Sequence, residues 1–163
     1  MGMYDNLRDI VKVFRFDDIL LRLLYYPPKD IAKGIKDPLD PSLANVLAID
    51  IDWTIRDKRI MLVPKSEDLA TSPLCRIYLY AGRRSPSRNY HVAKQEVIVD
   101  ILCHNDFEKD LRSMRISDRV NELLVLEHVT GLGKIDYVNG GGINAPSAYV
   151  GYRHVYEFGS TKS

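Results

Sequence analysis

Between Val46 and Asp57 the chain reads VLAIDIDWTIRD. Asp50 and Asp52, two residues apart behind an apolar run and followed by Thr54, have the types and spacing that phosphoryl transfer onto an aspartate needs. One carboxylate attacks phosphorus and the other handles the proton of the leaving group. That chemistry places both groups at the carboxyl end of a buried parallel strand. The same residues carry a plainer reading. Asp50, Asp52 and Thr54 alternate with Ile49, Ile51, Trp53 and Ile55, which predicts a strand over residues 46–55 with one polar and one apolar face.

The stretch resembles the nucleophile strand of haloacid-dehalogenase-like phosphatases, which implies Asp50 as nucleophile and Asp52 as general acid. It also implies a Rossmann-like series of strand–helix units after the motif, then a late acidic pair that holds magnesium. Downstream of Asp57 the sequence offers mostly strands, and its one long helical pattern starts near Phe107. No Asp-Asp or Gly-Asp-x-x-x-Asp follows that helix, because Asp17-Asp18 lies upstream. The phosphatase therefore stands as one alternative, a basic-hairpin nucleic-acid-binding adaptor as another, and the expectation is a protein that is not an enzyme. The four histidines, His91, His104, His128 and His154, form no compact cluster with metal-ligand spacing. No serine has a Gly-x-Ser-x-Gly setting. Gly140-Gly141-Gly142 leads into a Pro-containing turn rather than a helix N-terminus, so it reads as a flexible connection and not a phosphate cradle. No catalytic residue, cofactor or metal is expected.

Two features suit contact rather than catalysis. AGRRSPSRNY places Arg83, Arg84 and Arg88 between two strands, as a basic hairpin for DNA phosphate or an acidic neighbour, or as a loop kept soluble by charge. The chain has ten tyrosines against one tryptophan. Tyr78, Tyr80, Tyr90 and Tyr152 lie on or beside strands, where an aromatic body with a polar tip suits a subunit interface or a sheet rim.

The elements that position these residues follow from periodicity. The 163 residues suggest one compact unit with a small appendage, and 45% hydrophobic and 28% charged content are ordinary for a globular domain. A net charge of +1 gives no global pull toward nucleic acid or membrane. No apolar run approaches the roughly 20 residues of a membrane helix, and the N-terminus lacks a signal-peptide pattern. Cys75 and Cys103 read as buried free thiols. Residues 4–26 carry a helical pattern that Pro27-Pro28 stops, and PPKDIAKGIKDPLDPSLAN reads as a linker or laid-down arm. The expected division is an N-terminal helical segment and linker over 1–45 and a core domain over 46–163. Within the core, strands are predicted at 46–55, 59–64, 74–80, 90–103, 134–138 and 148–158. A helix is predicted from about Phe107 to Glu127, N-capped by Asn105-Asp106, with Phe107, Leu111, Met114, Val120, Leu123 and Leu124 on its apolar stripe. The tail, GSTKS, is expected to fray. The order predicts an α+β fold: a mostly antiparallel sheet of five to six strands, packed by one long helix, with an N-terminal helical arm.

From Arg59 to Phe158 the chain resembles tailed-bacteriophage neck and tail-completion proteins, tail terminators included. RIMLVP followed by KSEDLATSP is similar to their early strand and polar connection. YHVAKQEVIVDILCHNDFEKDLRSMRISDRVNELL is similar to their long strand running into a helix, with Ile116-Ser117-Asp118-Arg119-Val120 in its last half. INAPSAYVGYRHVYEF resembles their last strand. The resemblance implies a non-catalytic virion subunit that assembles in the host cytoplasm into a ring, commonly a hexamer, at the head–tail junction or tail end. Its implied partners are other copies of itself, adjacent neck or tail-tube proteins, and DNA in the lumen.

Overall fold

The computed structural model describes residues 2–89 and 91–161. Two helices come first, α1 (Met3–Arg15) and α2 (Asp18–Tyr25). Asn6, Ile10, Val11 and Phe14 recur on the buried side of α1, and Asp17 caps α2 by accepting the Leu20 N–H at 2.9 Å. The Pro- and Asp-rich stretch after Pro27-Pro28 is laid down against them. Arg22 donates to the carbonyls of Asp40 and Leu43, each at 2.9 Å, and the Tyr26 hydroxyl donates to that of Ala44 at 2.7 Å.

Residues 46–55 are not the predicted strand. They form the short helices α3 (Val46–Ile49) and, from Thr54, α4 (Thr54–Arg59). The cause is local capping, which competes with strand pairing wherever Asn or Asp can reach a nearby N–H. The Asn45 side chain accepts from Leu47 N–H at 2.8 Å, and the Asp50 carboxylate accepts from Ile55 and Arg56 N–H at 2.8 and 3.1 Å. Trp53, in the left-handed region at φ 65°, turns the chain between the two helices. RIMLVP likewise contributes only β1 (Ile60–Met61), and Leu62 and Val63 are exposed.

The remaining strands are β2 (Cys75–Pro86), β3 (Val92–His104), β4 (Leu132–Ile143) and β5 (Tyr149–Thr161). With β1 they make a five-stranded sheet in the order β1-β2-β3-β5-β4. All neighbours are antiparallel except β1, which runs parallel to β2. The predicted α+β fold is thus present. Two boundaries move. Asn139–Ile143 pairs with Val155–Gly151, so the three glycines lie in β4 rather than in a loose connection. Gly159, Ser160 and Thr161 pair with β3 or β4 instead of fraying, and Lys162 and Ser163 lie outside the described residues.

The predicted long helix is divided. His104 caps α5 (Asn105–Glu108) by accepting from Asp106 N–H, where Asn105-Asp106 was the expected cap. Leu111 at φ 57° then turns the chain into α6 (Arg112–Leu124). The buried side of α6 holds Ser113, Ile116, Ser117, Val120 and Leu124, while Leu111 and Met114 from the expected stripe are exposed. One core cluster joins Ile10, Phe14, Leu20, Leu21, Leu23 and Leu24 of the first two helices to Ile77, Val99 and Tyr156 of the sheet and Ile116 of α6. Arg112 (0% exposed), Arg115 and Arg119 on α6 reach back to the first 45 residues. Arg112 donates to the carbonyls of Leu23 and Tyr26, Arg115 pairs with Asp37, and Arg119 pairs with Asp17.

Candidate functional site

The strand pairing that buries Val97, Val99 and Ile101 of β3 against the helices puts Asp100 on the opposite face of the sheet. There Asp100 lies beside Arg153 of β5 in register, and Tyr80 of β2 sits diagonally across from it. Arg153 donates from Nε to Asp100 Oδ1 at 2.7 Å and from Nη2 to Oδ2 at 3.0 Å. The Tyr80 hydroxyl donates to Asp100 Oδ2 at 2.6 Å and accepts from Arg153 Nη2 at 2.9 Å. Asp100 is 6% exposed, so the triad is a buried acid matched by a cation whose outer side reaches solvent. Burial, then the bond to Asp100, pushes the Tyr80 phenol up to about 12. It therefore stays a donor at neutral pH. The same carboxylate raises the Arg153 guanidinium above its ordinary value.

A groove of about 600 Å³ opens beside the triad, lined by Lys65, Ser66, Leu102, Ile143, Asn144 and Arg153 among others. Its first wall is fixed by Arg76, which is fully buried. Arg76 donates to the carbonyls of Lys58 (2.7 Å) and Lys65 (2.9 Å) and grips Asp68 with two bonds, at 2.9 and 2.8 Å. The Tyr78 hydroxyl donates to the same Lys65 carbonyl. The Arg76 side-chain bond holds the Asp68 carboxyl down at about 2. The second wall follows the end of β4 through Gly142 and Ile143 to Asn144 and Pro146.

On the core face a second polar line ties the sheet to α6. His154 bonds Ser117 Oγ through Nε2 and the Tyr137 hydroxyl through Nδ1, each at 2.8 Å. A serine, a histidine and a third polar group in line are the parts of a nucleophilic site. Here both Ser117 and His154 are 4% exposed and face each other between helix and sheet, so the line works as a tie. Burial lowers the His154 imidazole below its ordinary value. Gly140 makes room for it, since a Cβ there would collide with the Tyr137 hydroxyl.

The family model for YomW matches residues 17–158, from the cap of α2 to the end of the sheet, and takes in Arg76, Asp100 and Arg153. The chain belongs to the YomW family. It is 33% identical to the SPbeta prophage-derived uncharacterized protein YomW of Bacillus subtilis (strain 168), over 96% of this chain and 98% of that one. Its fold is similar to a chain in the virion of the native gene transfer agent particle. The TM-score is 0.52 at 9% identity, covering 93% of this chain and 90% of the other.

In this YomW-family chain the residues singled out from sequence are scattered. Asp50 is 1% exposed, and its two oxygens are spent on Ile55 N–H, Arg56 N–H and Arg56 Nε (2.8 Å). Burial alone would raise its pKa, but the bonds from Arg56 and the backbone outweigh it and hold the carboxyl below its ordinary range. Asp52 is exposed and accepts from Thr54 N–H. The strand tip that an aspartyl nucleophile needs is replaced here by a helix cap. Arg83 and Arg88 are exposed, whereas Arg84 turns to Gln95 Oε1 (3.1 Å) and the Thr161 carbonyl (2.7 Å). Tyr78 packs in a small second core with Leu69, Leu74 and Leu102. Tyr80 belongs to the triad, Tyr152 stacks beside His154, and Tyr90 lies outside the described residues. Sequence reasoning passed over Asp100, Arg76 and Arg153. The signal was present: a lone charge inside VIVDILC or LCRIYLY must find a partner when its strand is buried. Among the described residues no group of His, Cys, Asp and Glu is placed to hold a metal, and no helix is long and apolar enough to cross a membrane.

Proposed function

We propose that the chain is a non-catalytic structural subunit of a phage or phage-like virion, assembled as a ring at the head–tail junction or tail end. The observation that carries this is the α+β fold, similar over 93% of the chain to a chain of the gene transfer agent virion. The prophage-derived relative agrees with it.

The sheet offers a physical route to self-assembly. At its β4 end the order stops. The Val125–Glu127 segment covers the outer side at Ile135, and beyond it the outer backbone groups of Asp136–Ile143 face no further strand. Natural edge strands are usually blunted by charge, Pro or a covering loop, because an open edge recruits another chain. Here Gly140, Gly141 and Gly142 leave the edge bare, and Leu132, Tyr137 and Val138 are exposed beside it. An edge of one copy meeting a different surface of the next is a heterologous contact, which closes into a ring when the rotation allows. The exposed Arg83 and Arg88 then serve DNA in the lumen or an acidic neighbouring neck or tail-tube protein.

Light scattering behind a sizing column, with the same fractions seen by negative-stain electron microscopy, tests the proposal. Open-centred rings of uniform size support it. A species that stays monomeric at high concentration, alone and with tail tubes or heads that lack this subunit, contradicts it.

A further inference from the structure

We infer that the groove beside Tyr80, Asp100 and Arg153 binds a carboxylate, presented with an adjacent apolar side chain by an extended segment of a partner protein. The inference goes beyond the ring proposal and holds for a monomer equally. Its first support is charge. Lys65 and Arg153 both line the groove, and the one acid on its floor, Asp100, is already matched by Arg153 and Tyr80. The second is donor supply. Arg153 uses Nε and Nη2 on the triad, while Nη1 has no protein acceptor among the described residues and the side chain is 42% exposed. A guanidinium held flat by a buried acid is pre-oriented, so a carboxylate meets it with little further loss of side-chain freedom.

The third support is the build of the walls. Arg76 and Tyr78 converge on the Lys65 carbonyl, so that side is fixed before anything binds, and the pairing of Gly142 and Ile143 with β5 holds the other. Leu102, Ile143, Pro64 and Pro146 give the groove an apolar side next to its cationic one. A volume of about 600 Å³ falls in the range of specific binding clefts. These features favour a protein carboxylate over nucleic-acid phosphate. The apolar lining suits a side chain such as Phe or Leu, which a sugar-phosphate backbone does not present.

The test is anisotropy of the peptide acetyl-Phe-Glu-amide carrying a neutral dye, titrated with the full chain. The acetyl-Phe-Gln-amide counterpart and inorganic phosphate as competitor complete the set. The Glu peptide is expected to bind at least about tenfold tighter than the Gln peptide, the size of one charge-assisted hydrogen bond. Lys65→Glu, an exposed change that leaves the triad intact, is expected to weaken the Glu peptide at least about tenfold and the Gln peptide little. Equal binding of the two peptides, an unchanged affinity in Lys65→Glu, displacement by phosphate at similar concentration, or no binding at up to about 1 mM of the chain overturns the proposal.

Discussion

At the scale of single residues, the chemistry of this chain is that of buried charges satisfied by neighbours. Asp50 caps α4 and neutralises Arg56, whose guanidinium also lies 3.7 Å from the Trp53 ring. Removing one partner of such a pair leaves the other uncompensated. Asp50→Ala is therefore expected to lose about 3 kcal/mol in urea unfolding. Asp50→Asn should leave phosphate release from p-nitrophenyl phosphate with magnesium at the background of the wild type. A magnesium-dependent activity that disappears in that variant would restore the phosphatase. His154 gives a pH prediction. Its folded-state pKa is lowered by burial, so the unfolded chain binds a proton more readily than the folded one. Stability is full above the ordinary histidine value and falls as pH drops below about 6.5. His154→Phe should flatten that limb of a denaturation-versus-pH curve, and an unchanged slope would mean another group is responsible. These residue roles were only partly legible. Asp50 and Asp52 alternate with apolar residues as a strand does, yet the same carboxylates can cap a helix, and periodicity does not separate the two.

At the scale of elements, β2, β3 and β5 were readable because alternation over a long run has one interpretation when one face is buried. Alternation failed for 46–55, where four-residue helices are set by caps, and for β4, where three glycines look like a loop but pair in register with β5. The glycines are not equivalent. A Cβ at Gly140 would strike the Tyr137 hydroxyl, whereas Gly141 has open space. Gly140→Ala should cost about 1–3 kcal/mol by overpacking, and Gly141→Ala about 1 kcal/mol or less. Equal effects in thermal melts would show that the tyrosine moves aside. The β4 edge carries a separate expectation. Val138→Lys places a charge on an exposed edge position and should weaken self-association while leaving the melting temperature within a few degrees of wild type. Self-association unaffected by that change would direct the interface elsewhere.

At the scale of the whole molecule, α1 and α2 complete the core beside the sheet, and the α6 arginines hold the linker that follows. The sequence announced the Pro-rich composition of that linker but not its fastening, because Arg112, Arg115 and Arg119 read as solvated charges until the tertiary partners are known. Arg112→Met should cost about 3 kcal/mol, since it strips two buried carbonyls of their donor. What remains outward is the β4 edge beyond Ile135, a groove lined by Lys65 and Arg153, and two exposed arginines, Arg83 and Arg88, on the β2–β3 hairpin. The proposed role makes the chain a component of an assembled particle. The most direct measurement is quantitative mass spectrometry of purified particles released by a host that carries the gene, after stringent density-gradient separation from the lysate. A small, fixed copy number relative to the major tail or capsid protein, lost together with head–tail joining when the gene is deleted, is the predicted result. Abundant chain in the lysate and none in intact, infectious particles would contradict it.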